Sequence, residues 1–234
     1  PPGYPLYTML GALFARLPIG STPAWRVNLL SAITAAAALG LVFSTARKLT
    51  GSIPGGIVAT LTLGSATTFW GTATMASVRS LTAFFTALCF YALAGHAAAI
   101  GSQAAGDCED GARVHRDGYL ILFSLALSLG LTHHPSLAFP AAVFVLYLIL
   151  VDPALLRQPR RWLNPVVAFL FGFLVLIYLP LRGDPGLSTL SGFLDHVLAR
   201  GFRGDMFALN PLDRLVLVPT LFRFQFNGLL LFGM

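Results

Sequence analysis

Apolar residues run in long stretches along this chain, and polar residues gather in short clusters between them. A helix that crosses a bilayer needs about 20 apolar residues. Stretches of that kind cover 27–46, 53–72, 80–100, 118–132, 136–151, 164–181 and 215–232. The fourth and fifth are short. They read either as two steeply placed segments or as one hairpin turning within the membrane at 132–135. Two other stretches are amphipathic and too short to span. In 5–17, Leu6, Leu10, Leu13, Phe14 and Leu17 share a helical face, with Pro5 in the first turn and Pro18 as the stop. In 189–200, Leu190, Phe193, Leu194, Val197 and Leu198 repeat that spacing. Both suit helices lying in the headgroup plane. Thr22-Pro23 reads as an N-cap followed by proline at the first helical position. The small residues of 31–40 and 60–68 permit close helix–helix approach.

The expected fold is therefore all-α: a polytopic transmembrane helical bundle of about seven spans plus two interfacial helices. It forms a single transmembrane domain over 1–234. Residues 1–24 are the end of an external loop with an interfacial helix, 25–181 the membrane bundle, 182–213 an external loop with an amphipathic helix, and 214–234 the start of a further span. The chain begins at Pro1 and ends inside an apolar run, which reads as a piece of a longer protein. Composition strengthens the membrane reading. Hydrophobic residues make up 56% and charged residues 10%, against about 25% charged in an ordinary soluble domain. A soluble chain of this size cannot hide that much apolar surface. The polar stretch 101–118 is expected as a flexible loop.

Charge narrows the partners. The net charge is +6, carried by basic residues that are all arginine except Lys48. No basic run has the interleaved aromatics of a nucleic-acid groove, so the expected partners are membrane lipids and lipid-linked phosphate, not nucleic acid. Arg47, Lys48, Arg113, Arg116, Arg157, Arg160 and Arg161 fall on one side. Arg16, Arg26, Arg79, Arg182, Arg200, Arg203 and Arg214 fall on the other. The positive-inside rule is a tie on this count. The first set lies in ordinary linkers, which places 1–24 and 182–213 on the extracytoplasmic side. Two cysteines define no disulfide framework. The residues Asp107, Cys108, Glu109, Asp110 and His115 match no metal spacing, so no metal is expected. There is no phosphate-cradling loop, nucleotide fingerprint or nucleophile elbow, and no cofactor is expected.

Five stretches carry a resemblance: "PPGYPLYTMLGALFARLP" (1–18), "AWRVNLLSA" (24–32), "GLTHHPSLAFP" (130–140), "YLPLRGDP" (178–185) and "HVLARGFRGDMF" (196–207). In order and spacing they resemble a family of polytopic membrane proteins, formerly a domain of unknown function, that includes the vertebrate O-mannosyltransferase of plexin-type receptors. The resemblance runs from Pro1 to about Phe207. It implies a GT-C-like glycosyltransferase that moves a hexose, mannose by resemblance, from a polyprenyl-phosphate carrier to an acceptor protein hydroxyl or envelope glycan, on the extracytoplasmic side. The membrane would be the plasma membrane of a bacterium, or the ER membrane in a eukaryote. The family's essential acid lies in the first external loop, which places the catalytic base upstream of Pro1. A piece lacking that loop is expected to be inactive alone. Where the family carries an acidic residue followed by Val-Tyr after its "FW" block, this chain has Ser77-Val78-Arg79.

Such a transfer loads negative charge onto the leaving phosphate, and arginine donors in a water-poor site would stabilise it. Arg182, Arg200, Arg203 and Asp205 are the candidates in the 182–213 loop, against the alternative of solvated loop charges pairing with one another. His133 and His134 interrupt an apolar run. Adjacent helical residues point about 100° apart, and Pro135 disfavours helix at His134, so the pair sits at a bend. It either borders the carrier phosphate or is polar because water is there. Arg79 either snorkels to headgroups or holds a phosphate. Tyr4 either stacks on a sugar or anchors the interface. Arg223, Gln225 and Asn227 are costly toward lipid and should face an interior. A lipid or solute transporter and a non-catalytic membrane assembly subunit remain as competing functions.

Overall fold

The computed structural model describes residues 4–104, 109–182, 185–197 and 211–230, and among them there are helices and no strands. Helix α1 (Pro5–Ala15) precedes the long α2 (Pro23–Thr50). The Thr22 hydroxyl accepts from Trp25 N at 3.2 Å, with Pro23 in the first turn. At the far end Gly51 (φ 65°) closes α2 by donating to Arg47 O at 2.9 Å, a left-handed conformation that glycine adopts without steric cost. Ser52 then caps α3 (Ile53–Gly64) by accepting from Gly55 N. The hairpin closes tightly, and a Cβ at Gly56 would meet the Phe43 ring.

The expected second span, 53–72, is two helices: α3 and α4 (Thr67–Thr74), separated at Ser65-Ala66. Next come α5 (Val78–Ala104) and α6 (Glu109–His133). Most of 101–118 is thus helical rather than loop. Charged residues keep the start of α6 outside the apolar window, while its backbone hydrogen bonding runs on. A 3₁₀ turn (Pro135–Leu137) leads into α7 (Ala138–Val151). Of the two readings of these stretches, the backbone takes the doubled-back one, with Phe144 of α7 packed on Phe90 of α5 and Phe123 of α6. After a short α8 (Ala154–Arg157) and a 3₁₀ turn (Pro159–Trp162), α9 (Leu163–Phe173) and α10 (Tyr178–Arg182) run nearly end to end. Finally α11 (Leu190–Val197) is the expected amphipathic helix, and α12 (Pro211–Leu230) the last apolar one.

Among the described residues three helical stretches are long and apolar enough to cross a membrane: Pro23–Thr50, Val78–Ser102 and Pro159–Leu181. Shorter apolar helices include Pro5–Ala15, Ile53–Gly64, Pro135–Val151 and Leu215–Phe226. The core lies between α5, α6 and α7, around Cys89, Leu93, Leu120, Phe123, Leu127, Phe144 and Leu148. Helix α2 lays Ser31, Thr34, Ala35 and Ala38 onto this bundle. That small-residue stripe permits close backbone approach. Where α9 crosses α6, a Cβ at Gly172 would collide with Ser128.

Arg223 departs from expectation, because its side chain is exposed while Gln225 faces α4. Residues two apart on a helix point about 200° apart, so both cannot face one interior. Asn227's side chain lies outside the described residues.

Candidate functional site

Three elements meet where the α6–α7 hairpin turns. Helix α5 begins there because Asn28 Oδ1 accepts from Ala76 N at 2.8 Å and Ser31 Oγ accepts from Ser77 N at 3.0 Å. Those two side chains of α2 fix the turn that presents Arg79. Helix α1 is held across the same end by Arg26, which donates to Ile19 O at 2.6 Å and Ala15 O at 2.7 Å. A guanidinium thus satisfies the Ala15 carbonyl left open at the C-terminal end of α1 and ties it to the connecting turn at Ile19.

His133 is fully buried, and its Nε2 lies 2.9 Å from the Val78 carbonyl. A carbonyl only accepts, so Nε2 carries the proton and Nδ1 is a lone pair. Phe85, Tyr4 and Tyr7 surround the ring, with centroids 5.8–6.3 Å away. The Nδ1 lone pair and the Tyr7 hydroxyl are buried without a hydrogen-bond partner among the described residues. His133 therefore locks α6 to α5 and does not open onto a cavity.

His134 does open onto one. Its Nδ1 accepts from Ser136 N at 3.1 Å, which leaves the ring proton on Nε2. Tyr4 lies flat on it, with centroids 5.5 Å apart and planes at 10°. Burial, and then the Arg79 charge, hold His134 below the ordinary histidine range. His134 and the exposed Arg79 line one end of a groove of about 560 Å³ between α2, α3 and α5. Below them its wall is apolar or hydroxylic, formed by Thr82, Ala83, Thr86 and Ala87. The groove is an apolar slot with two nitrogen donors at its mouth, and it can hold an anionic head on an apolar tail.

Of the expected site residues, the structure brings together His134, Arg79 and Tyr4, with His133 beneath them. Arg200, Arg203 and Asp205 lie outside the described residues, as does the side chain of Arg182, whose backbone ends α10. Helix α11 reaches the same end of the bundle, where His196 and Val197 share a small cavity of about 50 Å³ with Pro5, Thr132 and Pro135. Sequence reasoning missed Asn28, Ser31 and Arg26, although all three stand in the quoted 24–32 block. Side chains that bond to distant backbone leave no periodic trace.

A second polar cluster occupies the opposite end. Asp152, buried after α7, accepts from Arg161 Nη2 at 2.7 Å. His96 Nε2 of α5 lies 3.2 Å from the same oxygen. His96 Nδ1 lies 3.1 Å from Arg116 O, and Asp117 Oδ1 lies 3.5 Å from Arg161 Nη2. Burial favours the neutral acid, but the hydrogen bond and charge of Arg161, together with His96 and Arg116, outweigh it and hold the Asp152 carboxyl below the usual range. Nearby, Lys48 Nζ sits over the rings of Tyr91 and Tyr119 and donates to Tyr119 Oη at 3.3 Å. Lys48, Arg116 and Arg161 of the first basic set thus stand at the end opposite Arg26 and Arg79 of the second.

Comparison with known proteins places the chain beside a described family and a curated relative. The family described as protein O-mannosyl-transferase TMEM260 N-terminal domain matches residues 1–153. Protein O-mannosyl-transferase TMEM260 of Mus musculus is 32% identical over 215 residues, covering 84% of this chain and 28% of its own length. The chain therefore spans little more than a quarter of that relative. No solved structure matches. With its helical membrane architecture and a matching region that takes in α1, the α5 start and the histidine hairpin, the chain belongs to the family of the protein O-mannosyl-transferase TMEM260 N-terminal domain.

Proposed function

We propose that this chain forms the donor-binding part of a GT-C-like membrane mannosyltransferase. The enzyme takes the hexose from a polyprenyl-phosphate carrier and transfers it to a protein hydroxyl, or an envelope glycan, on the extracytoplasmic side. The membrane is the plasma membrane in a bacterium or the ER membrane in a eukaryote. One observation carries the reading: the apolar groove along α5 ends at Arg79 and His134, a cation and a neutral N–H donor side by side. A carrier has the complementary form, an apolar tail and an anionic head.

As the sugar leaves, charge builds on the carrier phosphate. Arg79 offsets it, and His134 donates from Nε2. Tyr4 fixes the ring plane and presents an aromatic edge where the sugar emerges. Arg182, Arg200, Arg203 and Asp205 are assigned further phosphate or sugar contacts, and the base that activates the acceptor hydroxyl is assigned upstream of Pro1.

The test is transfer of labelled mannose from a mannosyl-phospho-polyprenol to an acceptor peptide by the full-length protein in vesicles. Arg79→Ala and His134→Ala should each lower kcat by about 100-fold, the scale of one lost preorganised donor. Unchanged turnover in both would remove the site assignment. Movement of intact carrier across the vesicle without sugar release would replace it with a transporter.

A further inference from the structure

A second cavity, of about 390 Å³, continues the groove along the same side of α5. Arg79, Thr82, Ala83, Thr86, Ala87, Phe90, Leu93 and Ala94 form one helical stripe, at spacings of three and four. The upper cavity takes the stripe from Arg79 to Phe90, and the lower one from Phe90 to Ala94. Their α2 walls descend in parallel, from Val42 above to Thr45 and Leu49 below. Phe90 alone lines both. Its ring is half exposed and meets Phe144 edge-on at 5.0 Å and 78°, which holds it across the path.

Within a bilayer, burying an isoprenoid tail in a groove gains nothing from hydrophobicity, because lipid chains are equally apolar. Recognition of the tail must come from shape. The upper chamber offers small side chains, Thr82, Ala83, Thr86 and Ala87, against which a methyl-branched chain can interdigitate. Eleven residues of helix rise separate Arg79 from Phe90, about 16 Å.

Resting on the carrier reading above, we propose that Phe90 is a specificity-determining residue. It closes the head-proximal chamber, so that the protein reads the first 16 Å or so of a single-chain isoprenoid phosphate and is indifferent to the rest. A farnesyl tail is close to that length. Longer tails leave the groove at Phe90 and continue among the lipids.

The experiment is competition by citronellyl, farnesyl and undecaprenyl phosphates against a photoreactive prenyl phosphate, with the full-length protein in vesicles. Wild-type competition should strengthen from citronellyl to farnesyl and level off there. In Phe90→Ala the two chambers join, and undecaprenyl phosphate should outcompete farnesyl phosphate by about fivefold, the scale of a modest packing advantage of a shaped wall over lipid chains. Phe90→Trp extends the barrier and should narrow the gap between farnesyl and citronellyl. It also covers the case in which the alanine variant does not fold. Identical tail-length profiles in wild type and variants would overturn the role of Phe90 while leaving the carrier reading intact. Failure of every prenyl phosphate to label the wild type would overturn the carrier reading itself, and this inference with it.

Discussion

Two adjacent histidines do different work because the helix ends between them. His133 is still in α6 and points into the bundle, where Val78 O accepts its Nε2 proton. His134 is extended (φ −146°, ψ 124°) and faces the groove. Replacing His133 by Ala should remove a buried hydrogen bond and leave a void among Tyr4, Tyr7 and Phe85. A loss of about 3 kcal/mol follows from both effects together, read as a drop in melting temperature of the solubilised protein. His134→Gln should barely change melting at neutral pH. It should instead change the acid side. Because His134 titrates lower in the folded protein than the ordinary 6.5, the unfolded chain takes up that proton first. Stability is then full above about pH 6.5 and falls as pH drops toward the lowered value. That part of the acid loss should vanish in His134→Gln, and an unchanged melting–pH curve would count against the assigned burial.

At the scale of elements, local pattern predicted what local pattern controls. The helix after Pro5, the Thr22-Pro23 start of α2, the bend at His134 and the helix at 190–197 are all readable, since caps, prolines and periodicity act within a few residues. Breaks and tethers were not. The apolar run 53–72 gives no hint that α4 starts afresh at Thr67. There Gln225 Oε1 accepts from Thr68 N at 2.9 Å, and Thr67 Oγ1 donates to the Phe224 and Gln225 carbonyls beside the kink at Phe226. A cap supplied from 157 residues away cannot be read from neighbours. Arg26 is the same lesson nearer home. In the pattern it was one charge in a tally, whereas in the fold it ties down α1 and so places Tyr4 over His134. Arg26→Ala should raise hydrogen exchange across 5–15 by about 2 kcal/mol of local opening and weaken prenyl-phosphate labelling. Arg26→Lys should recover only part, since an ammonium lacks the fork that reaches two carbonyls. Equal exchange in all three proteins would show that α1 is held by packing alone.

On the scale of the whole molecule, polar ties at the two ends decide how apolar helices register, because hydrocarbon surroundings give packed helices no hydrophobic reason to prefer one alignment. At one end Asn28, Ser31 and His133 align α2, α5 and α6. At the other, Asp152 and Arg161 join the end of α7 to the turn before α9, beside His96 of α5. Helix α7 carries Phe144, which braces Phe90, so this distant cluster sets the floor of the groove. Arg161→Met strands the buried Asp152 carboxylate, and Asp152→Leu leaves the buried guanidinium only the longer contact to the half-exposed Asp117. Asp152→Leu and Arg161→Met should each cost about 3–5 kcal/mol. The double variant should cost far less than their sum, since no unpaired charge remains. The carboxylate is held below the usual 3.8, so its contribution is full above that value and is lost only as pH falls through the lowered one. The penalty of Asp152→Leu measured at pH 7 should therefore persist at pH 5, whereas the acid loss traced to His134 should already be under way there. Thermal melting of the two singles and the double at both pH values separates the two ends. Additive single effects would mean that Asp152 and Arg161 act independently, and the register of α7 would then rest on side-chain packing instead.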